Sequence, residues 1–132
     1  MPPMITPFDP KRHHIHIRFF VTDPRGRHHA LDGVLDTGAP RTEFSDKFLA
    51  FAGFIREPAK NIAIKPGLQT QKYGKLLIPI LEICGHAISD FEIFASRFDE
   101  SWGVDALIGL DFFKKFRVTI DTQAGQIRTE PF

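Results

Sequence analysis

Between residues 12 and 22 the chain alternates. Ile15, Ile17, Phe19 and Val21 fall on one side, and His14, His16 and Arg18 on the other. A period of two belongs to a half-buried strand and excludes an amphipathic helix, whose apolar positions recur every three to four residues. Asp23-Pro24-Arg25-Gly26 then supplies turn chemistry, with proline presetting φ and glycine tolerating positive φ. A second strand from about Arg27 to Leu35 completes a hairpin that delivers Asp36-Thr37-Gly38 at its end.

The same grammar recurs downstream. Phe91, Ile93 and Ala95 alternate with Glu92 and Phe94, and a last hairpin pairs residues 118–121 with 126–128. Residues 76–84 are strongly apolar, and Pro79 within them predicts a bulge or an edge position. Two short helices fit between the strands. Ser45 reads as an N-cap with Phe48, Leu49, Phe51 and Ala52 on a buried face and Gly53 as the stop, and residues 111–116 form the second. Four of the first ten residues are proline, so residues 1–11 read as an arm ahead of one domain over 12–132. The expected class is mainly β, a single antiparallel barrel or sandwich with two short helices.

At 132 residues the chain has room for one core and no second independent one. Seventeen Lys and Arg against sixteen Asp and Glu give a net charge of +1, without the basic surplus that nucleic-acid binding needs. No apolar run approaches the roughly 20 residues that cross a bilayer as a helix, and the first seven residues carry no signal-peptide core. One cysteine, Cys84, excludes an intrachain disulfide and fits a reducing compartment. The expectation is a cytoplasmic domain that contacts neither nucleic acid nor membrane and carries no cofactor.

Asp36-Thr37-Gly38-Ala39 is the strongest candidate for chemistry. Taken alone the tripeptide is weak, since aspartate often caps turns. A second segment, Ala106-Leu107-Ile108-Gly109-Leu110-Asp111, changes that balance. With it the chain resembles a retroviral-type (retropepsin-like) aspartic protease protomer of the bacterial or cellular kind. In that family a strand ends in Asp-Thr/Ser-Gly-Ala, a flap hairpin follows, and an apolar pair with glycine precedes a short helix. Glu82-Ile83-Cys84-Gly85-His86 matches a segment of lentiviral members, and Phe116-Arg117-Val118-Thr119-Ile120-Asp121 resembles a strand of cellular and bacterial ones. The likeness covers nearly the whole domain.

The resemblance implies that Asp36 is the catalytic carboxylate. Thr37 would bond across a twofold axis, Gly38 would admit the substrate backbone, and Ala39 would line the cleft floor. The flap would lie near residues 64–72 with Lys65-Pro66-Gly67 at its tip. Substrate contacts would come from Gly38, Ala39, Pro40, Arg41, Pro66, Gly67 and Ile108, with an extended peptide bound as an added strand. No metal or organic cofactor is implied. Family members often place an acidic residue after the Asp-Thr-Gly-Ala and an arginine after the Ile-Gly, paired across the dimer. Here those positions hold Pro40 and Leu110.

Hydrolysis by this chemistry needs two close carboxylates sharing one proton. The chain offers one, because Asp121-Thr122-Gln123 lacks the glycine and reads as a hairpin turn. A two-lobed enzyme would need a second motif and more than twice this length. The expected enzyme is therefore a symmetric homodimer in which each copy contributes Asp36. Two other classes are weighed beside it. One is a non-proteolytic binding or assembly module with the same fold. The other is a metal site built from His13, His14, His16, His28 and His29 on the first hairpin, for which a solvated polar face is the preferred explanation.

Overall fold

A computed structural model describes residues 3–59 and 71–132. In chain order its elements are β1 (Met4–Pro7), β2 (His16–Thr22), β3 (His28–Leu35), β4 (Glu43–Ser45), α1 (Asp46–Phe51), β5 (Gln71–Ile83) and β6 (His86–Arg97). After a 3-10 turn at Glu100–Trp102 come β7 (Ala106–Ile108), α2 (Leu110–Phe113), β8 (Phe116–Asp121) and β9 (Gln126–Pro131). The strands β2-β3-β7-β4-β6-β5 close into a barrel, and β1-β9-β8 form a separate three-stranded sheet. No helix among the described residues is long and apolar enough to cross a membrane.

The first hairpin forms as its alternation requires. Ile17, Phe19 and Val21 are each at most 1% exposed and enter the barrel core with Leu31, Phe44, Ile78, Leu81 and Ile93. Gly33 is needed opposite them. A Cβ there would lie 2.8 Å from the Phe19 ring, so the ring packs directly on the β3 backbone.

Four expectations from the sequence change. The barrel is not purely antiparallel, because β3 pairs with β7 and β4 with β6 in parallel. Parallel neighbours need long crossover connections, which leave no local pattern. The N-terminal residues are not a free arm, because Met4–Thr6 and Pro7 pair with β9 and the Phe8 N–H donates to the Gly125 carbonyl at 2.9 Å. Pro7 is tolerated because β1 lies at the sheet edge. Phe51, placed on the buried face of the first helix, is 82% exposed, whereas Leu49 is fully buried. Ser45 precedes that helix but makes no side-chain cap.

The hairpin histidines, weighed as a metal site only behind a solvated polar face, separate. His16 pairs with Val34, while His28 and His29 pair with Thr22 and Val21 at the other end of the hairpin, about 17 Å away by strand rise. His16 Nδ1 lies 3.3 Å from Asp32 Oδ2, and His28 Nδ1 lies 3.2 Å from Thr22 Oγ1. Among the described residues no three His, Cys, Asp or Glu gather as a metal site.

Pro79 marks a corner. Buried positions on β5 change phase between Ile78 and Leu81, and on β6 between His86 and Phe91. Pairing stays in step across it, from Ile78–Phe91 to Ile80–Ser89, and Asp90 takes φ +53°. The register shift of this ladder falls instead between Lys72 and Gly74. Pro79 stands one residue outside the pairing of β5 with β2, which begins at Ile80. It therefore has one neighbour strand, the edge condition proline requires.

The first turn is held by Asp23, which is 3% exposed. Its carboxylate accepts from His29 Nε2 at 2.9 Å and from the Arg25 and Arg27 N–H groups at 2.8 and 3.0 Å. The His29 contact, followed by these backbone donors, draws its pKa from 3.8 down to about 2. A lowered carboxylate pKa stabilises the fold above pH 3.8, and that stability is lost as pH falls toward 2. Asp23→Ala should therefore lower Tm at neutral pH, with the gap to the parent narrowing between about pH 4 and pH 2. Thermal melts across that range check it, and a gap independent of pH contradicts it.

Candidate active site

The site begins where β3 ends. The parallel ladder Gly33–Ala106, Val34–Leu107, Leu35–Ile108 is carried one residue further by the Asp36 N–H, which donates to the Ile108 carbonyl at 2.9 Å. The chain then turns on itself. The Ala39 N–H donates to the Asp36 carbonyl at 3.1 Å, and the Gly38 N–H donates to Asp36 Oδ1 at 3.0 Å. The Asp36 side chain is half-exposed and Thr37 and Gly38 are exposed, so the loop presents a carboxylate fixed by its own backbone. A Cβ on Gly38 would sit 3.2 Å from Asp36 Oδ1, crowding the approach to that oxygen.

The far side of the loop is tied to the start of α2. The Leu110 N–H donates to the Ala39 carbonyl at 2.8 Å, and the Asp111 N–H to the Pro40 carbonyl at 3.2 Å. In return the Asp111 carboxylate accepts the Thr42 N–H at 2.8 Å and the Thr42 hydroxyl at 2.7 Å. Thr42 Oγ1 also accepts the Gly109 N–H at 3.1 Å, and Thr42 is fully buried. Gly109 permits this approach. A Cβ on it would lie 2.7 Å from both the Ala39 oxygen and the Arg41 carbonyl carbon, which are backbone atoms with no freedom to retreat.

The expected site residues fall into distinct places. Asp36, Thr37, Gly38 and Ala39 share the loop, with Ala39 9% exposed. Pro40 and Arg41 follow on it with exposed side chains. Ile108, expected among the substrate contacts, is instead fully buried in the barrel core, and its carbonyl positions Asp36. Pro66 and Gly67 lie outside the described residues, as does the expected flap except for Gln71 and Lys72, which belong to β5. Asp121 accepts the Gln123 and Ala124 N–H groups at 3.1 and 2.9 Å, so it caps the β8–β9 turn. Thr42 and Asp111 were not singled out from the sequence. Their contact joins residues 69 positions apart, and only the Gly-Leu-Asp-Phe start of α2 hinted at it.

A strand end, a half-exposed aspartate fixed by backbone and a glycine-dependent helix start therefore meet at one rim of the barrel. No protein-family model matches the chain, and no curated protein matches it in sequence. Solved structures do. A retropepsin-like aspartic protease from Rickettsia conorii superposes with a TM-score of 0.66 at 15% identity, over 97% of this chain and 89% of that one. The retroviral protease-like domain of Ddi1 from Leishmania major gives a TM-score of 0.59 at 16% identity, over 92% and 96%. The fold is therefore retropepsin-like.

The loop's supports can be tested singly. Gly109→Ala should destabilise the protein by about 1–3 kcal/mol through overpacking against backbone. Asp111→Ala should cost a similar amount, about 1–3 kcal/mol, because it strands the buried Thr42 donors. Urea unfolding measures both, and parent-like midpoints would show that the loop is held otherwise.

Proposed function

We propose that this chain is an aspartic endopeptidase whose site is completed by a second copy, each copy supplying one Asp36. The observation that carries the reading is the Asp36 carboxylate. It is half-exposed and fixed by the Gly38 N–H, at the end of the parallel β3–β7 pair of a retropepsin-like fold. A lone carboxylate of this kind can act as a base or as an acid, but peptide hydrolysis requires both roles at once.

Two Asp36 side chains on a twofold axis meet that requirement. Like charges that close do not both ionise, so the pair holds one proton. The ionised member takes a proton from a water, whose oxygen adds to the scissile carbonyl carbon. The protonated member gives its proton to the carbonyl oxygen. As the tetrahedral intermediate collapses, the C–N bond breaks, the first member gives the nitrogen the proton it took from water, and the second takes a hydroxyl proton back, so the pair again holds one. The proton count belongs to the pair and not to either residue. Thr37 fixes one loop against the other across the axis, while Gly38 and Ala39 accept the backbone of an extended peptide. Pro40 and Arg41 border it, so Arg41 favours acidic or polar side chains at the neighbouring substrate position.

Asp36→Asn should leave Tm unchanged and reduce cleavage of an unstructured apolar peptide at mildly acidic pH by at least about a hundredfold. Cleavage by the parent should follow a bell-shaped pH profile, falling at low pH where the pair gains a second proton and at high pH where it loses its only one. If Asp36→Asn cleaves as fast as the parent, the assignment is wrong and a binding or assembly role with the same fold takes its place.

A further inference from the structure

The hairpin of β5 and β6 ends in a two-residue turn. Ile83 pairs with His86, and Cys84 and Gly85 between them take φ +52° and +77°. Positive φ at both central residues gives the tight turn whose twist matches the flanking strands. All three strands of the terminal sheet meet this tip. From β1, Met4 packs directly on Gly85, and Thr6 hydrogen-bonds the Cys84 thiol. From β9, Thr129 Oγ1 lies 2.7 Å from His86 Nε2. From β8, the Phe116 ring stacks on the imidazole with centroids 4.0 Å apart. His86 is 7% exposed and Thr129 is fully buried. We infer that His86 is an acid-sensitive latch between the barrel and the terminal sheet: the neutral ring holds the sheet on the hairpin tip, and the protonated ring loosens it. The inference stands apart from the reading of Asp36.

A neutral ring suits this joint. Its face lies on Phe116, and its nitrogen meets a hydroxyl that can donate or accept. A charge in the same place loses its hydration and gains no carboxylate in return. No ion pair among the described residues includes His86. On β9, Arg128 and Glu130 pair with each other at 3.1 Å, and strand alternation sets both on the face opposite the buried Thr129. On β8, Arg117 and Asp121 are exposed, and Asp121 accepts two turn amides. Strand β1 has no charged residue, and Glu82 on β5 and Asp90 on β6 are exposed. Lys114 and Lys115 beyond α2 are exposed cations and cannot serve as counter-ions. Cys84 is kept protonated by burial, so it offers no negative charge.

Burial accordingly moves the ring below its ordinary 6.5. The released sheet then binds the proton more readily than the docked one. Docking is strongest above pH 6.5 and weakens as pH falls below it. The ring is not the sheet's whole attachment, because Ile127 is fully buried in the barrel core and Phe116 packs against that core. Acid therefore loosens the sheet while the barrel stays folded. Strand β1 feels it most, since it lies at the sheet edge and meets the barrel through Met4 and Thr6 at the tip.

Amide hydrogen exchange of the whole chain, followed by NMR at about pH 7.5 and about pH 5.0 and corrected for the intrinsic chemical rate, tests this. In the parent, acid should lower the protection of β1 and β9 amides at least about threefold more than that of β2 and β6 amides. The NMR titration of the His86 ring should have its midpoint below 6.5 and span the pH range over which protection is lost. His86→Gln keeps a neutral donor and acceptor for Thr129 and should remove the difference between the two pH values. Ring titration and exchange are both read on the parent, so the test stays decisive if His86→Gln does not fold. Equal protection of the sheet at both pH values overturns the latch. So does a ring midpoint at or above 6.5, or a sheet that loosens in His86→Gln as it does in the parent.

Discussion

Gly109 lies against the backbone of Ala39 and Arg41 so closely that a single added carbon would meet two main-chain atoms at 2.7 Å. The loop that carries Asp36 takes its shape from this contact. With the backbones pressed together, the Leu110 and Asp111 N–H groups reach the Ala39 and Pro40 carbonyls. The Asp111 carboxylate can then take both donors of Thr42. The buried Thr42 hydroxyl, the Gly109 N–H and the Asp111 carboxylate are all engaged, which braces the loop that carries Asp36. A reaction that depends on two carboxylates a hydrogen bond apart needs that fixity, since small misplacements are expensive in rate.

Parallel pairing serves the same end. Strands β3 and β7 run in one direction, so both release their chains at the same rim of the barrel. One release gives the aspartate loop and the other gives Gly109 and α2. An antiparallel pair would put the two at opposite rims, and the Asp36 N–H would have no Ile108 carbonyl to continue the ladder. The barrel therefore tolerates two parallel joints in an otherwise antiparallel wall.

What could be read in advance was what is local. The first hairpin was legible because alternation and Asp-Pro-Arg-Gly turn chemistry act within ten residues, and Asp36 followed from its end. Strand β1 was hidden because its prolines signal an irregular arm, while its partner β9 lies more than a hundred residues on. The histidines looked clustered because sequence proximity on a hairpin says nothing of register, and register puts His16 and His28 at opposite ends. Helix α1 is six residues long, too short for apolar spacing to fix a face, which is how Phe51 came to be assigned inward. Thr42 had no local signal and Asp111 only its place in the motif at the start of α2, the two being partners because Gly109 lets distant segments touch.

Three titrating groups of the packed interior are held away from their ordinary pKa values by burial and hydrogen bonding. Asp23, which braces the hairpin that carries Asp36, has its pKa pulled down to about 2 by His29 and two backbone donors. His86 is 7% exposed, stacked on Phe116 at 4.0 Å and bonded to Thr129 Oγ1 at 2.7 Å, and burial pushes its pKa below the usual 6.5. Burial moves the Cys84 thiol the other way, above 9.0, and keeps it protonated. Burial thus favours the neutral ring of His86 and the protonated thiol of Cys84, while hydrogen bonds keep Asp23 ionised below the usual carboxylate range.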